Sequence, residues 1–244
     1  MGRFFVLPTF RERTFPGVNG RLRPAIPIDT DNPLWESSAQ KEHLDAAIRW
    51  KGIVGDFDIG AHYFKGTNRE PTFVPSVNES GNQTLRPYYG QIDQVGLDLQ
   101  YTTGGWLWKL ESIHRSGGGQ DYEAAVGGFE YTFYGVFDSN LDVGTLLEYH
   151  HDSRGSLSTS PFNHDLFAGT RITLNDEQDT SMIADAFWDR EYETTSFRVE
   201  FERRIGQNYK IEIEFQGFAK IPTNDPLFSV RRDSFLQIDF RRYF

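Results

Sequence analysis

From Leu44 to the last residue, segment after segment alternates apolar and polar side chains with a period of two. Successive side chains of a strand point to opposite faces, so this pattern builds a sheet with one apolar and one polar face. Leu44, Ala46, Ile48 and Trp50 oppose Asp45, Ala47, Arg49 and Lys51, and Val95, Leu97, Leu99 and Tyr101 oppose Gln94, Gly96, Asp98 and Gln100. Tyr209, Ile211, Ile213 and Phe215 oppose Lys210, Glu212, Glu214 and Gln216, so there the second face is almost fully charged. No run with a 3.6-residue period competes, and the chain reads as all-β. About twelve strands are expected, near 3–10, 42–51, 57–66, 92–101, 106–115, 122–134, 141–150, 164–174, 181–188, 195–205, 209–219 and 233–244. Two are irregular: Pro8 interrupts the first, and Ile183 and Phe187 fall on the polar side of the ninth.

No stretch approaches the roughly 20 apolar residues of a transmembrane helix, which excludes a helical membrane protein. A transmembrane barrel passes the same test, because only every second residue of its strands must be apolar, and 38% hydrophobic residues then suffice. The segments have the length of tilted membrane strands, about 9–11 residues. Aromatic residues make up 15% of the chain, as interfacial girdles require. The connections also sort by length. Short turns fall at 52–56, 102–105, 135–140, 175–180 and 206–208, and mostly longer Gly-, Pro-, Ser- and Asn-rich loops at 67–91, 116–121, 151–163, 189–194 and 220–232. Outer-membrane barrels alternate their periplasmic turns and extracellular loops in this way. The expected architecture is a single antiparallel up-and-down transmembrane β-barrel over 42–244, preceded by an N-terminal strand and long loop over 1–41.

Leu236, Ile238, Phe240 and the terminal Phe244 share one face of the last segment, against Gln237, Asp239 and Arg241. This ending resembles the C-terminal signal of outer-membrane proteins. The segments Glu148-Tyr149, Asp165-Leu166-Phe167 with Gly169 and Arg171, Leu174-Asn175-Asp176 and Arg203-Arg204-Ile205-Gly206 are similar to those of uncharacterised porin-like proteins of Gram-negative bacteria. The resemblance covers roughly residues 40–244. It implies the cell outer membrane as location, outer-membrane lipid and lipopolysaccharide as surroundings, and the barrel-assembly machinery as a partner that reads the strand ending at Phe244. Met1 to Pro8 is too short for a secretion signal and Arg11 follows at once. With the extended 11–41 region, this is expected of the C-terminal part of a longer barrel.

By the same parity the lumen-facing charges include Arg49, Lys51, Asp58, Asp98, Lys109, Glu111, Glu148, Arg171, Arg198, Glu200, Glu202, Lys210, Glu212, Glu214, Asp239 and Arg241. Charges of both signs on an inner face read as a hydrated path whose pattern tunes selectivity, or as a ladder of ion pairs that fills the lumen. The expected function is passive passage of small polar or charged solutes, without catalytic residues, cofactor or metal. The alternatives are a non-conducting structural barrel, a soluble β-sandwich binding module, and a lipid hydrolase. For the last, His151-Asp152-Ser153 resembles the His-x-Ser pair of outer-membrane phospholipases, with Arg154 where those carry Asn. His150 and His151 are adjacent on a strand and point apart, which disfavours a shared metal. Gly117-Gly118-Gly119 precedes no helix and reads as a flexible loop, not a phosphate cradle. Arg11, Arg13, Arg21 and Arg23 form a basic loop that could fold inward as a constriction or meet anionic lipopolysaccharide. A net charge of −10 disfavours nucleic acid, and the absence of cysteine removes disulfides and thiolate chemistry.

Overall fold

The structure is a computed structural model that describes residues 1–158, 160 and 162–244. In chain order its strands are β1 (Gly2–Leu7), β2 (Leu34–Trp35), β3 (Asp45–Val54), β4 (Phe57–Thr67), β5 (Thr72–Val77), β6 (Gln83–Tyr89), β7 (Gln91–Thr103) and β8 (Trp106–Gly117). They continue with β9 (Tyr122–Val136), β10 (Leu141–Asp152), β11 (His164–Thr173), β12 (Ser181–Asp189), β13 (Thr195–Ile205), β14 (Tyr209–Ala219) and β15 (Phe235–Arg242). The helical content described is confined to three short 3₁₀ turns, Gln40–Glu42, Gly155–Leu157 and Pro226–Val230.

Twelve strands form one antiparallel sheet in the order β1-β3-β4-β7-β8-β9-β10-β11-β12-β13-β14-β15. Each of the twelve expected segments is one of these strands. Pro8 ends β1 at Leu7, since proline has no N–H to continue a ladder. Ile183 and Phe187 do lie with the polar set: Phe187 pairs Phe167, Asp185 pairs Gly169 and Ile183 pairs Arg171, all on one face of β11 and β12. The short turns close with a residue in the left-handed region, as at Gly104 (φ 57°) and Gly206 (φ 62°), where a side chain would be strained.

Residues 67–91, expected as a plain loop, contain the β5–β6 hairpin, and the 1–41 lead-in supplies β2 as a parallel partner of β6. The hairpin turns at Asn78-Glu79-Ser80-Gly81, where Asn78 Oδ1 accepts the N–H of Ser80 and of Asn82. The large sheet is not closed: β1 and β15 are its two edges.

The chain divides into two compact units. The first comprises Met1–Leu99, Leu110–Ala125 and Asp152–Pro161, and the second Gln100–Lys109, Val126–His151 and Phe162–Phe244. In the first, Phe10, Trp35 and Tyr89 form an aromatic centre, with Trp35 stacked on Tyr89 at 4.8 Å and Phe10 edge-on to both. Burial pushes the Tyr89 phenol above its ordinary pKa. In the second, Asp225 caps the 3₁₀ turn Pro226–Val230 through the Leu227 N–H and accepts from the Thr194 hydroxyl.

Among the described residues the buried apolar side chains are Phe10, Pro71, Pro87, Tyr89, Ile92, Tyr122 and Val230, against eleven polar or charged ones. A water-soluble sheet has the opposite balance, because burying its apolar face is the main stabilising term. Here that face is uncovered. Ile48, Val95, Trp108, Leu147, Leu236, Ile238 and Phe240 are each between 41% and 63% exposed.

Candidate functional site

The polar face of the large sheet carries the site. In the first unit, Arg49 of β3 reaches across β4 to Asp98 of β7 at 2.8 Å. It can do so because β4 has Gly60 at the crossing point: a Cβ there would lie 2.0 Å from Asp98 Oδ2. His62 lies the same way over Gly96 of β7. Lys51 stands 3.8 Å from Asp58, and Glu111 is exposed.

In the second unit the register sorts charges into rows. One row runs Gly169, Asp185, Arg198 and Gln216 across β11 to β14. Next comes Arg171, Ile183, Glu200, Glu214 and Gln237, and then Ser181, Glu202, Glu212 and Asp239 across β12 to β15. The last row is Arg204, Lys210 and Arg241. Two acidic rows are therefore bordered by cations on both sides. Like charges directly opposite one another destabilise a sheet, and the flanking cations relieve this. Lys210 bridges Glu202 and Glu212 at 2.8 Å each, Arg241 meets Glu212 at 2.6 Å, and Arg198 joins Glu200 at 2.9 Å and Asp185 at 3.2 Å. Glu200, Glu202, Glu212, Glu214 and Asp239 line a groove of about 330 Å³ with Ser181, Ile183, Phe201 and Ile213.

Of the remaining expected lumen residues of the second unit, Arg171 ends the row of Glu200 and Glu214 on β11, and the others lie elsewhere on the same face. Lys109 stands 3.7 Å from Glu130, Arg171 is exposed, and Glu148 sits 3.8 Å from His150. The structure thus gathers Arg198, Glu200, Glu202, Lys210, Glu212, Glu214, Asp239 and Arg241 into one band and leaves the others as separate pairs or single charges.

Sequence reasoning missed an aromatic group on the polar face of this unit. Phe187 stacks on Phe162 at 4.5 Å, and the rings of Phe167 and His150 lie 4.5 and 5.4 Å from it. The out-of-phase Phe187 was the signal.

The hydrolase motif is engaged differently from a catalytic pair. Ser153 Oγ accepts the Glu123 N–H at 2.9 Å, and Ser153 N–H donates to the Glu123 carbonyl, which ends the strand pairing there. His151 is exposed and pairs with His164 in the β10–β11 ladder. Arg154, the residue after Ser153, turns back on Asp152 at 2.6 and 2.9 Å. Burial by itself lowers the Arg154 pKa, but the hydrogen bonds it donates to Asp152 outweigh this and leave the guanidinium above its ordinary value. His150 packs on Phe187, and no group of three or more His, Asp or Glu among the described residues is arranged to hold a metal ion. Gly117, the last residue of β8, and Gly118 and Gly119 of the connection that follows all have positive φ. Arg11, Arg13, Arg21 and Arg23 are solvent-exposed, and Arg13 is fixed through its backbone N–H to the Tyr89 hydroxyl.

The opposite face has its own pattern. In the second unit Trp106, Trp108, Phe129, Tyr131 and Phe133 cluster beside the short turns after β7 and β9, with neighbouring ring centres 4.6 to 5.6 Å apart. Trp106, Trp108 and Phe133 are 38%, 45% and 50% exposed, so this belt covers no protein core.

Comparison with protein-family models, curated proteins and solved structures finds no match to the chain.

Proposed function

We propose that the large sheet is the wall of an outer-membrane β-barrel, and that its polar face lines a channel for passive passage of small polar or charged solutes. One observation carries the reading: the face that is apolar is the exposed one, while the opposite face holds ion-paired, partly covered charges. Lipid is the solvent that makes this arrangement stable, since an uncovered apolar face in water costs about 25 cal/mol per Å². The Trp106–Phe133 belt at the short-turn end fits a membrane interface, where aromatic rings concentrate. Twelve strands is an even number, as an up-and-down closure requires, and closure removes the edges at β1 and β15.

On this reading the polar face is a hydrated lane, and no side chain is assigned a covalent step. Its band of five carboxylates favours cations over anions along β12 to β15. A second reading, a structural barrel that does not conduct, is favoured by the Arg198–Glu200 and Glu202–Lys210–Glu212–Arg241 ion pairs, which would fill a narrow lumen.

The membrane part is tested by refolding the chain into vesicles of brominated phosphatidylcholine and reading tryptophan fluorescence. Five tryptophans report, and quenching with a heat-modifiable band on a gel is the expected result. Unquenched fluorescence from folded protein refutes a lipid-facing sheet.

A further inference from the structure

We infer that His151 and His164 form a binding site for one divalent transition-metal ion of the kind that takes imidazole ligands, Zn²⁺, Ni²⁺ or Cu²⁺. The site needs only the β10–β11 ladder, whether the large sheet faces lipid or water, and so does not depend on the channel reading.

His151 and His164 are directly opposite partners, the last pair of the antiparallel β10–β11 ladder. Residues opposed in this way share a face, and their Cβ atoms stand about 4.5–5.5 Å apart. Two ring nitrogens each held at about 2.1 Å by one tetrahedral ion lie about 3.4 Å from one another. Imidazoles rooted about 5 Å apart reach that spacing by side-chain rotation, without movement of the backbone. His150 and His151, by contrast, are neighbours along one strand and point to opposite faces.

Tyr149 prepares one of the two rings. It lies two residues before His151 on the same face, and its hydroxyl is 2.6 Å from His164 Nδ1, with the rings edge to face at 5.5 Å between centres. With Nδ1–H donated to the phenol oxygen, His164 keeps its Nε2 lone pair for a metal. Metal-ligating histidines are generally oriented by such a bond from the second ring nitrogen. His151 is exposed and has no hydrogen bond or ion pair among the described residues, so turning it toward His164 breaks no polar contact.

The other four of the six histidines are engaged elsewhere. His43 is bonded to Asp45 at 2.7 Å, His114 stands 3.4 Å from Glu123, His62 lies over Gly96, and His150 packs on Phe187. The face that carries the pair has no carboxylate in β10 or β11, which disfavours Mg²⁺ and Ca²⁺ and leaves ions that accept nitrogen. Two protein ligands leave the remaining positions to water, so the ion is exchangeable rather than locked in a closed four-ligand site. Bound there, it ties β10 to β11 where the connection 153–163 leaves the sheet.

Calorimetric titration of the refolded full chain with ZnCl₂ tests the site, with MgCl₂ as control and with His151→Gln, His164→Gln, Tyr149→Phe and His114→Gln measured alongside. Far-UV circular dichroism checks that each variant is folded, and the exposed position of His151 keeps one variant informative if His164→Gln does not fold. The expected result is one Zn²⁺ per chain, binding abolished in His151→Gln and His164→Gln, weakened about tenfold in Tyr149→Phe, and unchanged in His114→Gln, with no heat from MgCl₂. One equivalent of Cu²⁺ then shows coupling to two nitrogens in its electron paramagnetic resonance spectrum. No Zn²⁺ binding by the parent, binding that survives His151→Gln, or a copper spectrum with fewer than two nitrogens overturns the site. Affinity that Tyr149→Phe leaves unchanged overturns the positioning role of Tyr149.

Discussion

Leu97→Arg separates lipid from water as the neighbour of the apolar face. Leu97 is the seventh of the 13 residues of β7, so six residues extend on either side. At about 3.3 Å per residue and a tilt of about 40°, six residues span about 15 Å along the membrane normal, half of a hydrocarbon core of about 30 Å. The side chain is 37% exposed, on the same face as Val95. An arginine at the midplane of a barrel's lipid face costs about 2–4 kcal/mol, whereas an exposed position in water tolerates it within about 0.5 kcal/mol. Gln100→Arg, on the polar face of the same strand and also exposed, is the matched control and stays within about 0.5 kcal/mol. Urea unfolding from phosphatidylcholine vesicles, followed by tryptophan fluorescence, measures both. Equal and small changes for the two substitutions refute the assignment of the apolar face to lipid.

Lys210→Glu removes the bridge between Glu202 and Glu212 and adds a carboxylate beside the five that line the groove, so the reversal potential in a salt gradient shifts toward cations, by about two- to threefold in permeability ratio. Gly128→Ala places a Cβ 2.1 Å from the Leu147 carbonyl oxygen, backbone that cannot swing away, and lowers stability in urea by about 1–3 kcal/mol. Asp176, in the turn between β11 and β12, is held below the ordinary carboxylate value of 3.8 by the Thr180 N–H, then by the Thr180 hydroxyl and by Arg203. Its folded pKa being depressed, its stabilisation is present above 3.8 and is lost as the pH falls through the folded value. Asp176→Ala is therefore less stable than the parent at pH 7 and converges with it in strong acid, as urea midpoints against pH will show. An acylating serine probe leaves Ser153 unlabelled in folded protein, and labelling that His151→Ala abolishes would restore the hydrolase reading.

The twelve long strands were legible because each is a local pattern, and the alternation that names a strand also assigns its faces. The exceptions were informative: Ile183 and Phe187 broke the pattern of β12 because one sits among the acidic rows and the other against Phe167. The small sheet was not legible. Pro75 and Pro87 interrupt β5 and β6, β2 is two residues long, and its pairing is set by Phe10, Trp35 and Tyr89, which are far apart in the chain. The charged band of β12 to β15 was visible residue by residue, but its rows depend on register, which parity alone does not fix. The ion pairs at the end of β4 were invisible for the same reason. Arg69 and Glu70 look like an ordinary solvated pair until Asp45, Arg115 and Arg154 are brought to them.

Current across a planar bilayer, recorded after adding the refolded chain, bears most directly on the claim that the polar face lines an open path. Stable, stepwise conductance that favours cations is the predicted result. A heat-modifiable, membrane-inserted band with no current above the bare bilayer would contradict it and leave the ion-paired, non-conducting barrel in its place.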